Sequence, residues 1–156
     1  MDEREFMQSA IDAAREGIAA GQSPFGASII RGGELVVAAH NRVWLQSDPS
    51  AHGEVQAIRQ ACDKLQTIDL SACEIYTTCE PCPMCFAAIH WAKIPKIIYG
   101  TSIADSQRAG FCELTISNEQ MKSLGNSNVE IVAGFMRGPC LALFDEWLAR
   151  EDHRAY

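Results

Sequence analysis

Two short segments carry the donors that most restrict how this chain can fold: His52-Gly53-Glu54 and Pro81-Cys82-Pro83-Met84-Cys85. One imidazole and two thiolates form a zinc-type ligand set. A site with three protein ligands keeps its fourth position for water, as catalytic zinc sites do, whereas structural sites close with a fourth protein ligand. The two segments lie far apart along the chain, so any fold that uses both must bring two separate stretches of backbone to one point. Glu54, two residues from His52, is expected to face the open side of such a site, where a carboxylate can carry protons.

Helical spacing makes the convergence plausible. Residues 52–65 read as a helix with Val55, Ile58, Ala61, Cys62 and Leu65 on its apolar face. Cys82–Lys93 reads as a second helix, with prolines tolerated at its start. Cys82 and Cys85 then stand at i and i+3 on one face. Two helix N-termini can point at the same spot, and both their dipoles and a cation favour thiolate over thiol. Simpler readings exist for the parts. His-x-Glu alone is common, and Cys-x-x-Cys alone serves redox or structural roles. Cys79-x-x-Cys82-x-x-Cys85 resembles the start of an iron–sulfur run, but the position of its next cysteine is Ile89. Cys79 is expected just ahead of the helix, as an inner cysteine or a neighbour of the site.

The remaining elements follow from periodicity and turn chemistry. Residues 4–20 form an amphipathic helix that ends at Gly21. Phe25–Arg31 and Glu34–His40 are strands joined by the Gly32-Gly33 hairpin signal. Cys73–Thr77 is a short buried strand, Ile94-Pro95 breaks the second site helix, and Lys96–Gly100 is a further strand. Residues 101–128 are irregular with short helical pieces. Val129–Ala133 is a fifth strand, and Leu141–Arg150 is a terminal helix with Leu141, Phe144, Trp147 and Leu148 on one face. Trp44, Trp91 and Trp147 read as packing residues. The order α-β-β-α-β-α-β-α-β-α predicts an α/β fold: a three-layer α-β-α sandwich around a five-stranded mixed sheet, in one domain spanning residues 1–156.

Composition narrows the function classes. With 13 basic and 20 acidic residues, a net charge of −7 lowers the expectation of a nucleic-acid partner. Apolar runs are too short to span a bilayer, and the acidic start differs from a secretion signal. Seven cysteines without such a signal fit a reducing, cytoplasmic location.

The motif and its surroundings resemble the cytidine deaminase superfamily. The likeness runs from Phe25-Gly26-Ala27 through Asn41 and Asp48-Pro49-Ser50-Ala51-His52-Gly53-Glu54 to Tyr76-Thr77-Thr78-Cys79-Glu80-Pro81-Cys82-Pro83-Met84-Cys85. It is similar to the guanine deaminases of that fold through Gly110-Phe111-Cys112-Glu113, the helix around Trp147 and the tail to Tyr156. The resemblance implies one Zn2+ per subunit held by His52, Cys82 and Cys85, and hydrolytic loss of ammonia from a free nucleobase. Glu54 moves protons between the attacking water, a ring nitrogen and the leaving amine. Glu113 assists as a second catalytic carboxylate. Asn41 hydrogen-bonds the base, Phe25 and Phe111 pack on its faces, and Tyr156 closes a partner's site in a homodimer that exchanges tails of about residues 137–156.

Two positions depart from the guanine deaminase pattern. Gly53 stands where alanine is more typical, as in the His-Gly-Glu of fungal cytosine deaminase, and Cys112 stands where a carboxylate can occur. Both are expected in the substrate pocket. Guanine is therefore the first expectation, with isocytosine, cytosine or a triazine analogue as alternatives. A transfer-RNA adenosine deaminase and a non-catalytic, zinc-stabilised interaction module are the competing classes.

Overall fold

The computed structural model describes all 156 residues. The chain opens with α1 (Glu3–Ala19), capped by Asp2: its carboxylate accepts from the Arg4 and Glu5 amides while the Glu5 side chain accepts from the Asp2 amide. Strands β1 (Gly26–Arg31) and β2 (Glu34–His40) follow, paired antiparallel across Gly32-Gly33. Both glycines have positive φ, the conformation a two-residue hairpin turn demands. Next come α2 (Val43–Gln46), α3 (Gly53–Leu65), β3 (Cys73–Cys79), α4 (Pro83–Trp91), β4 (Lys96–Thr101), α5 (Ile103–Arg108), α6 (Asn118–Leu124), β5 (Glu130–Val132) and α7 (Arg137–Leu148).

The sheet has five strands in the order β2-β1-β3-β4-β5. β1 is antiparallel to β2 and β3, whereas β3, β4 and β5 run parallel. Helices cover both faces, so central strands bury successive residues on opposite sides. Ile75 and Ile97 pack under α3 and α4 with Phe86 and Ile89. Tyr76 and Ile98 pack under α1 and α7 with Met7, Ile11, Leu143 and Trp147. The expected mixed-sheet sandwich is thus the architecture found.

Several boundaries differ from the sequence reading. β3 continues to Cys79, which brings the strand within three residues of Cys82. The short helical pieces expected within 101–128 are α5 and α6, each begun by a capping box, Ser102 with Asp105 and Ser117 with Gln120. α7 begins at Arg137, four residues earlier than expected, after Met136 in the left-handed conformation. The short α2 has no counterpart in the sequence reading. Trp91 is 79% exposed rather than packed, because Phe86 and Ile89 take the inward positions of α4.

Asp105 fastens α5 to α7. Its buried carboxylate accepts both prongs of Arg137, one nitrogen of Arg108, and the Ser102 amide (2.8 Å) and hydroxyl (3.0 Å). The Arg137 guanidinium holds the Asp105 carboxyl well below the usual carboxylate range. A depressed folded-state value means that this stabilisation is complete above the unfolded carboxylate pKa of about 4 and disappears as pH falls below it. Asp105→Asn is expected to lower stability by about 2 kcal/mol at pH 7 in urea denaturation, the scale of charge-assisted hydrogen bonds. The gap from the parent protein should narrow between about pH 4 and pH 2.

Candidate active site

Strand polarity delivers the site residues to one end of the sheet. β1 starts where β3 ends, since the two are antiparallel, and β2 ends beside the start of β1. Phe25, immediately before β1, and Asn41, immediately after β2, therefore flank the segment Glu80–Cys82 that leaves β3. β4, parallel to β3, ends at the same edge and leads into the segment that carries Glu113.

His52 and Cys82 are the N-cap residues of α3 and α4, both in extended conformation, and neither side chain caps its own helix. Both side chains are free to turn toward a shared point. Their donor atoms and the Cys85 sulfur lie within 4.8 Å of one another. His52 Nδ1 stands 3.6 Å from Cys82 Sγ and 3.5 Å from Cys85 Sγ. Zinc–sulfur and zinc–nitrogen bonds of about 2.3 and 2.0–2.1 Å at a tetrahedral angle place the two atoms about 3.6 Å apart. The three ligands therefore fit a zinc ion in spacing as well as in donor type. The neighbouring Cys85 and a hydrogen bond with His52 lower the Cys82 thiol to about 4. The Cys82 sulfur beside it, with burial, raises Cys85.

Two carboxylates face the cavity beside these ligands. Glu54 is buried, accepts from Cys85 Sγ at 3.3 Å, and has its pKa raised to about 7 by burial, with His52 opposing. Glu113 is half-buried, accepts from Ser106 Oγ at 2.8 Å, and is also raised by burial. Cys79 is buried in the same wall and donates to the Ser102 carbonyl at 3.5 Å, away from the ligand set.

The cavity holds about 230 Å³ and is lined by Phe25, Asn41, Phe111 and Tyr156, by His52 and Cys82, and by Glu54, Glu113 and Glu80. That volume is slightly below the range of about 300–1,000 Å³ typical of drug-sized ligands. The Phe25 and Phe111 rings meet edge to face with centroids 4.9 Å apart, so in this structure they make one wall rather than two opposite faces. Asn41 is fully buried. Its Oδ1 accepts from the Val43 amide, and its Nδ2 donates to Tyr156 Oη at 2.6 Å. Tyr156 of the same chain covers the opening, its carbonyl accepting from the Cys112 amide. Upstream, the Arg154 guanidinium lies 3.8 Å over the Trp44 ring, whose Nε1 donates to the Arg154 carbonyl. Cys112 lies on the cavity wall, exposed.

Gly53 sits elsewhere than expected. It does not line the cavity: a Cβ there would stand 3.3 Å from the Phe25 carbonyl oxygen and 3.5 Å from the Asn41 amide nitrogen. It lies behind the wall, against the backbone of two residues that do face the cavity.

Residues 1–101 match the family described as the cytidine and deoxycytidylate deaminase zinc-binding region. The chain belongs to this family. It is similar to the guanine deaminase of Bacillus subtilis (strain 168), with 42% identity over 76% of this chain and 77% of that protein. It is also similar to a tRNA-specific adenosine deaminase of Aquifex aeolicus (strain VF5), with 39% identity over 70% and 72% of the two chains. Among solved structures, the guanine deaminase from Nitrosomonas europaea superposes with a TM-score of 0.88 at 31% identity, covering 96% of this chain and 86% of that one. As a member of the deaminase family, the protein is a zinc-binding hydrolase of carbon–nitrogen bonds in cyclic amidines.

Several residues that shape this deaminase site escaped the sequence reading. Ser106 orients Glu113, and Trp44 receives the tail; neither contact has a local signature, because each joins positions that only the fold brings together. Glu80, read only as part of the motif, is buried and accepts two backbone amides. If the three ligands hold the ion, His52→Ala and Cys85→Ala will each lose stoichiometric zinc on metal analysis. Both will also melt below the parent, since the parent alone retains the stabilisation that a bound ion gives to the folded state.

Proposed function

We propose that this deaminase acts on a free nucleobase, guanine first. The observation that carries this reading is the cover over the cavity: Tyr156 bonded to Asn41, with Arg154 on Trp44 beside it. A cavity of about 230 Å³ under such a cover has room for a base alone. A deaminase of transfer RNA must admit a flipped base still joined to its strand and hold an anionic stem-loop. The net charge of −7 argues against that partner. The similarity to guanine deaminases points the same way.

Zinc at His52, Cys82 and Cys85 supplies the Lewis acidity that brings the pKa of a water toward about 7. In the proposed reaction Glu54, directly beside the ligands, takes a proton from the attacking water. Oxygen adds to the ring carbon that bears the exocyclic amine, and Glu54 passes the proton to the adjoining ring nitrogen. Glu113, held through one oxygen by Ser106, keeps its other oxygen to relay the second proton of that water, from the added hydroxyl, to the leaving amine as the carbon–nitrogen bond breaks. Water and guanine become xanthine and ammonia. Asn41 is fixed by Val43 so that its NH2 group, a donor, faces the cavity, matched to an acceptor on the base. Phe25 and Phe111 supply apolar contact, and Gly53 acts from behind by setting how closely the Phe25 and Asn41 backbone approaches α3.

Assembly and location belong to the same proposal. A homodimer that exchanges about residues 137–156 would make the Asn41–Tyr156 and Trp44–Arg154 contacts between subunits instead of within one, since exchange substitutes an identical element. All seven cysteines are free, in keeping with a reducing cytoplasm. No helix is long and apolar enough to cross a membrane.

Ammonia release from zinc-loaded protein, with guanine, isocytosine, cytosine and an adenosine-bearing anticodon stem-loop offered in parallel, tests the substrate. Guanine should turn over fastest. Deamination of the stem-loop with no turnover of any free base would sink the reading. In the same assay Glu54→Gln should abolish turnover while zinc is retained, and Glu113→Ala should reduce it by about 10²-fold, the scale of acid–base catalysis. An active Glu54→Gln protein would remove Glu54 from the chemistry.

A further inference from the structure

We infer that Glu80 is a positioning residue for the second carboxylate, resting on the reading of Glu113 as a proton carrier. Glu80 leaves the end of β3 two residues before the ligand Cys82 and is 7% exposed. Its two oxygens are divided between two distant amides. Oε1 accepts from Ile103 N at 3.1 Å and Oε2 from Asn118 N at 2.9 Å. These are the first-turn amides of α5 and α6, groups with no partner inside their own helices. Glu80 thus grips both ends of the segment 103–118, and Glu113 lies between those ends.

Two further bonds tie the same two stretches. The Glu80 amide donates to the Thr101 carbonyl at 2.8 Å, and Asn118 Nδ2 donates to the Pro81 carbonyl at 2.7 Å. Within the gripped segment, Ser106 on α5 donates to Glu113 Oε1 at 2.8 Å. A connected path therefore leads from the residue beside the metal helix, through the Glu80 carboxylate and α5, to the Glu113 side chain. It fixes Glu113 relative to Cys82 and Cys85; Glu80 itself borders the cavity, but both its oxygens are taken up by the two amides. Only a carboxylate of this length can serve both amides, since each needs an acceptor. Glutamine would turn its NH2 group toward one amide N–H.

Steady-state kinetics of the zinc-loaded protein on guanine, in a double-mutant cycle between Glu80→Gln and Glu113→Ala, tests this. Glu80→Gln should lower kcat by about 10- to 100-fold, the scale of ångström misplacement in an active site, with KM and zinc content unchanged. In the Glu113→Ala background the same change should cost nothing further. Ser106→Ala should also lower kcat and be silent in that background. If Glu80→Gln does not fold, Glu80→Asp, which keeps the charge but shortens the reach, carries the same comparison. An equal loss in both backgrounds, or loss of zinc, would overturn the positioning role. A Glu113→Ala enzyme with parental kcat would instead remove the reading of Glu113, and the role of Glu80 with it.

Discussion

The meeting of His52, Cys82 and Cys85 within 4.8 Å is the constraint around which the rest of the molecule is arranged. Each ligand-bearing helix must begin at the same edge of the sheet. That requires β3 to end next to Cys82, and the backbone from Phe25 to Asn41 to close against α3. The mixed sheet achieves this economically. An antiparallel hairpin returns Phe25 and Asn41 to the edge where parallel β3 and β4 finish. Ligands collect outside the carboxyl ends of strands in many α/β folds, and here the hairpin adds residues from strand ends of opposite direction.

Much of this was legible because the signals were local and strong. The apolar stripe of α1, the double-glycine turn and the proline-flanked cysteine helix each specify their own backbone. The zinc ligands were readable for a different reason, since donor chemistry and spacing leave few alternatives. What was missed depends on long-range contacts. Glu80 looked like part of a motif because its partners, Ile103 and Asn118, follow more than twenty residues later. Ser102-x-x-Asp105 and Ser117-x-x-Gln120 were readable capping signals that would have placed the short helical pieces expected in that stretch. Gly53 was assigned to the pocket from its place in the motif, but a helix start exposes alternate sides, and its own side faces β1.

The site is polar at its chemical centre and apolar around it. Burial raises both Glu54 and Glu113, while the proximity of the two sulfurs lowers Cys82 and raises Cys85. Phe25, Phe111 and Trp147 form a continuous aromatic wall that links this cavity to the α1–α7 core.

Asp105 joins two parts of the enzyme that could have varied independently. Through Ser102 and Arg108 it organises α5, which carries the serine that holds Glu113; through Arg137 it anchors the helix that leads to Tyr156. Divergence of the tail toward other substrates would therefore tend to disturb the opposite wall unless this carboxylate and its arginines were kept. Beyond Leu148 the tail lies past this anchor and is held instead by Arg154 on Trp44 and by Tyr156 on Asn41.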